Sequence, residues 1–175
     1  RDSEIKSHIK EFFLIAEHYQ NKNNRLKFIL SLTKNSKKYN FESQIQKLKN
    51  ISISYDDSQR VLSASDYSII TSGTATLEGA LSKTPMIVIY KTNLLSYFIM
   101  SKLIQTKFIS LPNILYGKNI VNEILQSDVN KENLIRELDK LMSEDNSQMN
   151  SRFKSLHHSL INNDKSKFFN VLNSM

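Results

Sequence analysis

Residues Met86–Tyr90 (MIVIY) form an unbroken apolar run only five residues long, and this run constrains the chain more than any other feature. A strand wetted on one face alternates apolar with polar residues. An uninterrupted short run fits a strand covered on both faces, as in a parallel sheet. Lys83-Thr84-Pro85 precedes it and breaks any helix arriving from upstream.

Strand-like and helix-like segments take turns around this run. Residues 4–20 place Ile5, His8, Ile9, Phe12, Phe13, Ala16 and Tyr19 three and four apart, as on one helical face. Residues 26–32 (LKFILSL) and 51–55 (ISISY) read as strands, separated by a basic loop at 33–40 and a short helix at 41–48. One of Asp56 and Asp57 is placed to cap a helix over 59–64. Residues 66–71 (DYSIIT) form a further strand, Ser72 and Gly73 turn the chain, and Thr74–Ser82 is a helix. Next come a helix over 94–105, an extended segment over 108–115 around Pro112, and a turn at Gly117. The remainder reads as helices around 120–125, 133–142 and 152–160, with a short one near 165–172. This alternation predicts an α/β fold, a parallel sheet with helices on both faces followed by carboxy-terminal helices.

Composition narrows the chemistry. The 175 residues include no cysteine, which excludes a disulfide framework, a thiolate nucleophile and Cys-built metal sites. The chain opens on Arg1 instead of Met, so a processed or partial chain is expected. No signal-peptide pattern opens it, and no apolar run approaches the roughly 20 residues of a membrane span. A cytoplasmic location is expected. The histidines His8, His18, His157 and His158 show no metal-ligand spacing, so neither metal nor cofactor is expected. A formal charge of +7 favours anionic partners. The basic residues are scattered and no RRM, KH or zinc-finger signature is present, which argues against nucleic acid. Between Glu78 and Glu123 no acid occurs, while Lys83, Lys91, Lys102, Lys107 and Lys118 do. That surface suits phosphate or an anionic membrane, and equally a core helix with solvated lysines.

Two stretches carry candidate chemistry. In residues 72–78 (SGTATLE), Gly73 lets a ligand approach the backbone, and a helix N-terminus opening after a buried strand favours an anion such as a diphosphate. Glu78 lies one turn further on, on the face of Thr74, where a carboxylate could accept ribose hydroxyls. An ordinary strand–helix turn with a solvated Glu78 is the other reading of the same residues. In residues 110–126 (SLPNILYGKNIVNEILQ), Asn113 offers a donor and an acceptor, and Gly117-Lys118-Asn119 opens another helix. A strand, a turn and a capped helix without a ligand fit this stretch as well.

At these two stretches the sequence resembles the carboxy-terminal half of lipid-A-disaccharide synthases, inverting glycosyltransferases of the GT-B fold. Residues 64–91 (ASDYSIITSGTATLEGALSKTPMIVIYK) resemble the family's strand–SGTATLE–helix–TPM–strand block, and residues 96–126 resemble its SLPN and ELLQ block. The opening RDSEI resembles the end of its LPGSRxxEI phosphate loop. The resemblance is strongest over 64–126 and fades after about Met142. It implies a Rossmann-like nucleotide-sugar-binding domain over 1–142 and a helical tail over 143–175. It also implies transfer of 2,3-diacylglucosamine from UDP-2,3-diacylglucosamine to 2,3-diacylglucosamine 1-phosphate, with release of UDP. By this resemblance Arg1 neutralises the diphosphate, and Ser72, Gly73 and Thr74 donate hydrogen bonds to it. Glu78 holds the ribose, and Asn113, Gly117 and Lys118 line the donor cleft. The general base has no counterpart here and is expected outside this chain, which alone should be inactive. Peripheral attachment to the cytoplasmic face of the inner membrane is expected. Another GT-B UDP-sugar enzyme (an epimerase or a peptidoglycan-type transferase) and a basic membrane- or nucleic-acid-binding module are the alternatives.

Overall fold

The computed structural model describes residues 2–22, 25–55, 57–91 and 107–161. The expected helices over 94–105 and 165–172 lie outside them, as does Arg1. The chain runs α1 (Asp2–Lys22), β1 (Phe28–Ser31), a 3-10 segment (Lys34–Tyr39), α2 (Phe41–Ile45), β2 (Ile51–Ser54), α3 (Ser58–Ser63) and β3 (Ser68–Thr71). It continues through α4 (Thr74–Ser82), β4 (Met86–Tyr90), α5 (Leu111–Tyr116), β5 (Asn122–Leu125), a 3-10 turn (Gln126–Asp128), α6 (Lys131–Ser143) and α7 (Ser147–Ile161). Every strand pair is parallel, in one ladder β1-β2 and another β3-β4-β5. The expected α/β class with a parallel sheet and flanking helices is what the chain adopts.

β4 is the centre of the second ladder, and its alternate side chains feed two cores. Ile87 and Ile89 join Ile15 and Tyr19 of α1 and Leu134, Leu138 and Leu141 of α6. Met86 and Val88 join Ala80 of α4, Leu62 of α3 and Phe153 and Leu156 of α7. All four of these β4 residues are at most 2% exposed, each gaining about 1.5–3 kcal/mol from burial. Phe28 of β1 and Ile69 of β3 pack on the first core, so the two ladders share it although no hydrogen bonds pair them among the described residues.

Three expectations are corrected. The segment around Pro112 is helical, not extended: Ser110 occupies the N-cap position and Pro112 falls in the first turn, where a missing N–H removes no helical bond. Gly117 takes a left-handed conformation and ends that helix, so residues 117–119 close a helix where one was expected to open. The expected helix around 120–125 is instead the strand β5, in register with β4 from Ile87↔Asn122 to Tyr90↔Leu125. Val121, Ile124 and Leu125 suit either period in so short a run, and pairing with a buried neighbour decided it. Elsewhere Asp57 is the cap of α3, accepting from the Gln59 N–H at 3.1 Å. The basic segment at 33–40 is tightened into 3-10 turns.

Two contacts set how the layers dock. Gly79 of α4 lies so near the sheet that a Cβ there would stand 2.7 Å from Met86 Cε and 2.8 Å from Ile70 Cδ1. On the other face, Tyr19 of α1 donates to Asp139 Oδ1 of α6 at 2.7 Å, and Lys22 reaches Oδ2 at 3.1 Å. The Tyr19 hydrogen bond, then Lys22, holds the Asp139 carboxyl below its ordinary range, while burial and the same bond push the Tyr19 phenol up.

Gly79→Ala should be near neutral, because about 1 kcal/mol of helix propensity offsets the shift of two flexible side-chain ends. Gly79→Val should cost about 1–3 kcal/mol by overpacking, read from urea unfolding midpoints. A lowered carboxylate contributes stability that is complete above the unfolded pKa and is lost as pH falls through the folded one. The unsubstituted chain should therefore lose more stability on acidification through the aspartate range than Asp139→Asn does. Parallel stability–pH curves for the two would show that the Tyr19–Asp139 bond contributes nothing.

Candidate functional site

Thr71 ends β3, and the Ser72 N–H extends the ladder by one bond to Ile89 O at 2.8 Å. The chain then reverses at Gly73, whose φ of 154° and ψ of −167° belong to a region that is essentially glycine-only. Thr76 fixes this corner from within: its N–H and its hydroxyl both donate to Gly73 O, at 3.1 and 2.7 Å. Gly73 and Thr74 are exposed, and among the described residues nothing lies within 4 Å of where a Gly73 side chain would begin. As the first residues of α4, Thr74 and Ala75 have N–H groups with no intrahelical acceptor. The result is an open helix N-terminus at the carboxyl edge of a parallel sheet, with a positive end for an anion to meet.

Glu78 is half-buried one turn into α4, and its Oε2 accepts a hydrogen bond from the Ser58 hydroxyl at the start of α3. α3 runs alongside α4, with Ser58 beside Glu78 and Ser63 beside Ser82, so Glu78 meets the start of α3 on the half of α4 nearer Gly73. Gly73, Thr74 and Glu78 thus belong to one corner.

Ser72 has a different part. Its hydroxyl donates to Ile109 O at 2.8 Å, so in this structure neither of its donors is open to a ligand. Glu123 of β5 grips the same segment from the other side. Its Oε2 accepts the Ile109 N–H at 3.1 Å, and its Oε1 accepts the Ser110 N–H at 2.9 Å and the Ser110 hydroxyl at 2.6 Å. Asn113 adds a donor to Glu123 Oε1 at 2.7 Å and another bond to Val121 O at 2.9 Å, while its Oδ1 accepts from the Ile120 and Val121 N–H groups. Asn113 is fully buried, and it ties α5 to the segment entering β5. Thr76 and Glu123 stand inside these motifs without a ligand-binding signature of their own: Thr76 serves the carbonyl of Gly73 three residues back, and Glu123 serves groups 10 to 14 residues away that only folding brings near.

Gly117 and Lys118 are not brought to this corner. They precede β5, and in a parallel sheet the chain enters β5 beside Met86 and leaves it beside Tyr90. Ile120 and Val121 accordingly pack with Met86 and Ala80, and Arg152 of α7 donates to Asn119 O at 3.2 Å. Gly117 and Lys118 therefore stand about one strand length, roughly 15 Å, from Gly73. Two clefts lie elsewhere: one of about 470 Å³ along Asp57, Gln59, Arg60, Ser63 and Ala64, and one of about 310 Å³ beside β5, lined by Asn122, Arg136 and Glu137 among others. Among the described residues, no three His, Asp or Glu side chains gather as a metal site would require, and no helix is long and apolar enough to cross a membrane.

Comparison with known proteins gives this geometry a context. The family model described as lipid-A-disaccharide synthetase matches residues 1–170. The chain belongs to that family. Similar relatives named lipid-A-disaccharide synthase include those of Colwellia psychrerythraea strain 34H, 32% identical over 163 residues, and Vibrio vulnificus strain YJ016, 33% identical over 161. These alignments cover 91% and 90% of this chain but 42% of each relative, so the chain spans about two-fifths of the length of the relatives it matches. The one from Idiomarina loihiensis is similar, at 32% identity over 163 residues, covering 91% of this chain and 43% of the relative. In this chain, the SGTATLE block is the corner at Gly73, and the SLPN block is the segment clamped beside it.

Glu123→Ala would leave two backbone N–H groups, a hydroxyl and an amide without their acceptor. A loss of about 3 kcal/mol is expected in chemical denaturation, because each buried unpaired donor costs about 1–3 kcal/mol and relaxation recovers part of the sum.

Proposed function

We propose that this chain is the donor-binding part of a lipid-A-disaccharide synthase, a role in lipid A biosynthesis. The observation that carries the reading is that the family's SGTATLE block forms a helix N-terminus at the carboxyl edge of a parallel sheet, uncovered among the described residues, with Glu78 held one turn behind it. In this reading the Thr74 and Ala75 N–H groups and the Thr74 hydroxyl meet the diphosphate of UDP-2,3-diacylglucosamine, and Gly73 lets it approach the backbone. Glu78 accepts hydrogen bonds from the ribose. Arg1, outside the described residues, is the proposed cation for the diphosphate. Ser72, Asn113 and Glu123 shape the corner by holding residues 109–113 beside it. Residues 1–142 form the nucleotide-sugar unit, and 143–175 a helical extension.

The proposed reaction is an inverting transfer. The 6-hydroxyl oxygen of 2,3-diacylglucosamine 1-phosphate attacks the donor's anomeric carbon. The bond from that carbon to the diphosphate oxygen breaks, and UDP leaves with the electron pair. The hydroxyl proton passes to a base contributed from outside this chain, so the chain alone binds donor without turning it over. Negative charge grows on the departing diphosphate, and fixed amides at a helix N-terminus lower the barrier by stabilising that growing charge. Both substrates are acylated, so the work is done at a membrane surface, and a chain of net charge +7 suits the anionic cytoplasmic leaflet.

Titration calorimetry with UDP should show saturable binding, weakened about tenfold or more by Glu78→Ala, since hydrogen bonds to a charged group contribute about 1.5–3 kcal/mol. In NMR titrations the Gly73, Thr74 and Ala75 amides should shift most. Saturable UDP binding that leaves these amides unmoved would overturn the reading.

A further inference from the structure

We propose that Ser58 is a positioning residue of the nucleotide site, one that presets the Glu78 carboxylate for a ribose diol. This inference rests on the donor-binding reading and adds a residue from a different βα unit to it. Ser58 opens α3 beyond the carboxyl end of β2, and its hydroxyl donates to Glu78 Oε2 across 20 residues of sequence. Docking of α3 on α4 does not depend on that bond. Thr84 Oγ1 donates to Leu62 O at 2.8 Å, the Ser63 hydroxyl donates to Ser82 Oγ at 3.4 Å, and Leu62 and Ala80 share the second core. The start of α3 is set separately, by the Asp57 cap.

What the Ser58 hydroxyl fixes is the rotamer of one carboxylate. An unrestrained glutamate has three torsions to order when it binds, at a cost of up to about 2 kcal/mol. With Oε2 held by Ser58, that ordering is complete before a ligand arrives. Among the described residues, no hydrogen bond occupies Glu78 Oε1. A vicinal diol brings two O–H donors on adjacent carbons. Oε1 can accept one of them, and the second lone pair of Oε2, or the Ser58 oxygen itself, can accept the other. Ser58 therefore acts on the sugar hydroxyls and leaves the diphosphate at Gly73 and Thr74 untouched.

The test compares UDP with 2′,3′-dideoxy-UDP, which keeps the base and diphosphate and lacks both hydroxyls, by calorimetry on the 175-residue chain. The unsubstituted chain should prefer UDP, and Glu78→Ala should abolish the preference. Ser58→Ala should reduce UDP affinity about three- to tenfold, the range of one hydrogen bond, and leave dideoxy-UDP affinity unchanged. Ser58→Thr, which keeps a hydroxyl, should restore most of the preference. Unchanged dideoxy-UDP binding also reports that the variant is folded. If Glu78→Ala removes the preference while Ser58→Ala leaves it whole, the Ser58 role is wrong and the donor-binding reading stands. If Ser58→Ala weakens both nucleotides alike, the residue is structural and the proposal fails. If UDP does not bind the unsubstituted chain, both fall together.

Discussion

Burial of β4 on both faces is the constraint on which the rest depends. Ile87 and Ile89 face one core, Met86 and Val88 the other, and none can reach water without opening a layer. A strand in that position needs neighbours on both sides to pair its backbone, since buried unpaired N–H and C=O groups are costly. β3 and β5 supply them, in parallel register. Parallel register makes every strand leave the sheet at one edge, so the first turn after β3 emerges beside the carboxyl end of β4. The open corner at Gly73 is a consequence of that stacking.

Around the corner, polar groups are satisfied by a few side chains, each serving several backbone atoms. Thr76 closes on Gly73 O with two donors, which leaves the outer side of the turn to solvent. Glu123 gathers four donors from Ile109, Ser110 and Asn113, and Ser72 takes the Ile109 carbonyl. The segment after residue 107 is thereby anchored to β3 through one residue and to β5 through another. A carboxylate accepting backbone N–H groups forms the stronger, charge-assisted kind of hydrogen bond, which fixes the backbone of residues 109–110 directly.

The sequence and the coordinates disagreed most where side-chain period is least informative. Four-residue strands hold too few positions to separate a period of two from one of 3.6, and Asn122–Leu125 fell on the wrong side of that ambiguity. The Pro112 segment was misread because a proline in the first helical turn and one in an extended chain have the same φ. Asn113 illustrates a different limit. An asparagine within a motif looks like a ligand-facing amide, yet here both ends of that amide are engaged by the chain's own backbone and Glu123. Gly117 and Lys118 were placed with Gly73 by the family resemblance, and a β-strand's length separates them in space.

Residue order alone determined the α/β class, the strand at Met86–Tyr90, the helix at Thr74–Ser82, the glycine corner and the family resemblance. These follow from local period, from backbone freedom at one residue and from motif spelling, all of which are written in contiguous residues. Tertiary structure decided which polar groups remain open. Ser72 was closed by Ile109, Asn113 by the turn into β5, and Glu78 was steadied by Ser58, while the Thr74 and Ala75 amides lack intrahelical acceptors. Hydrogen-bond capacity is finite, and a residue's share left for a ligand depends on partners that only folding brings near.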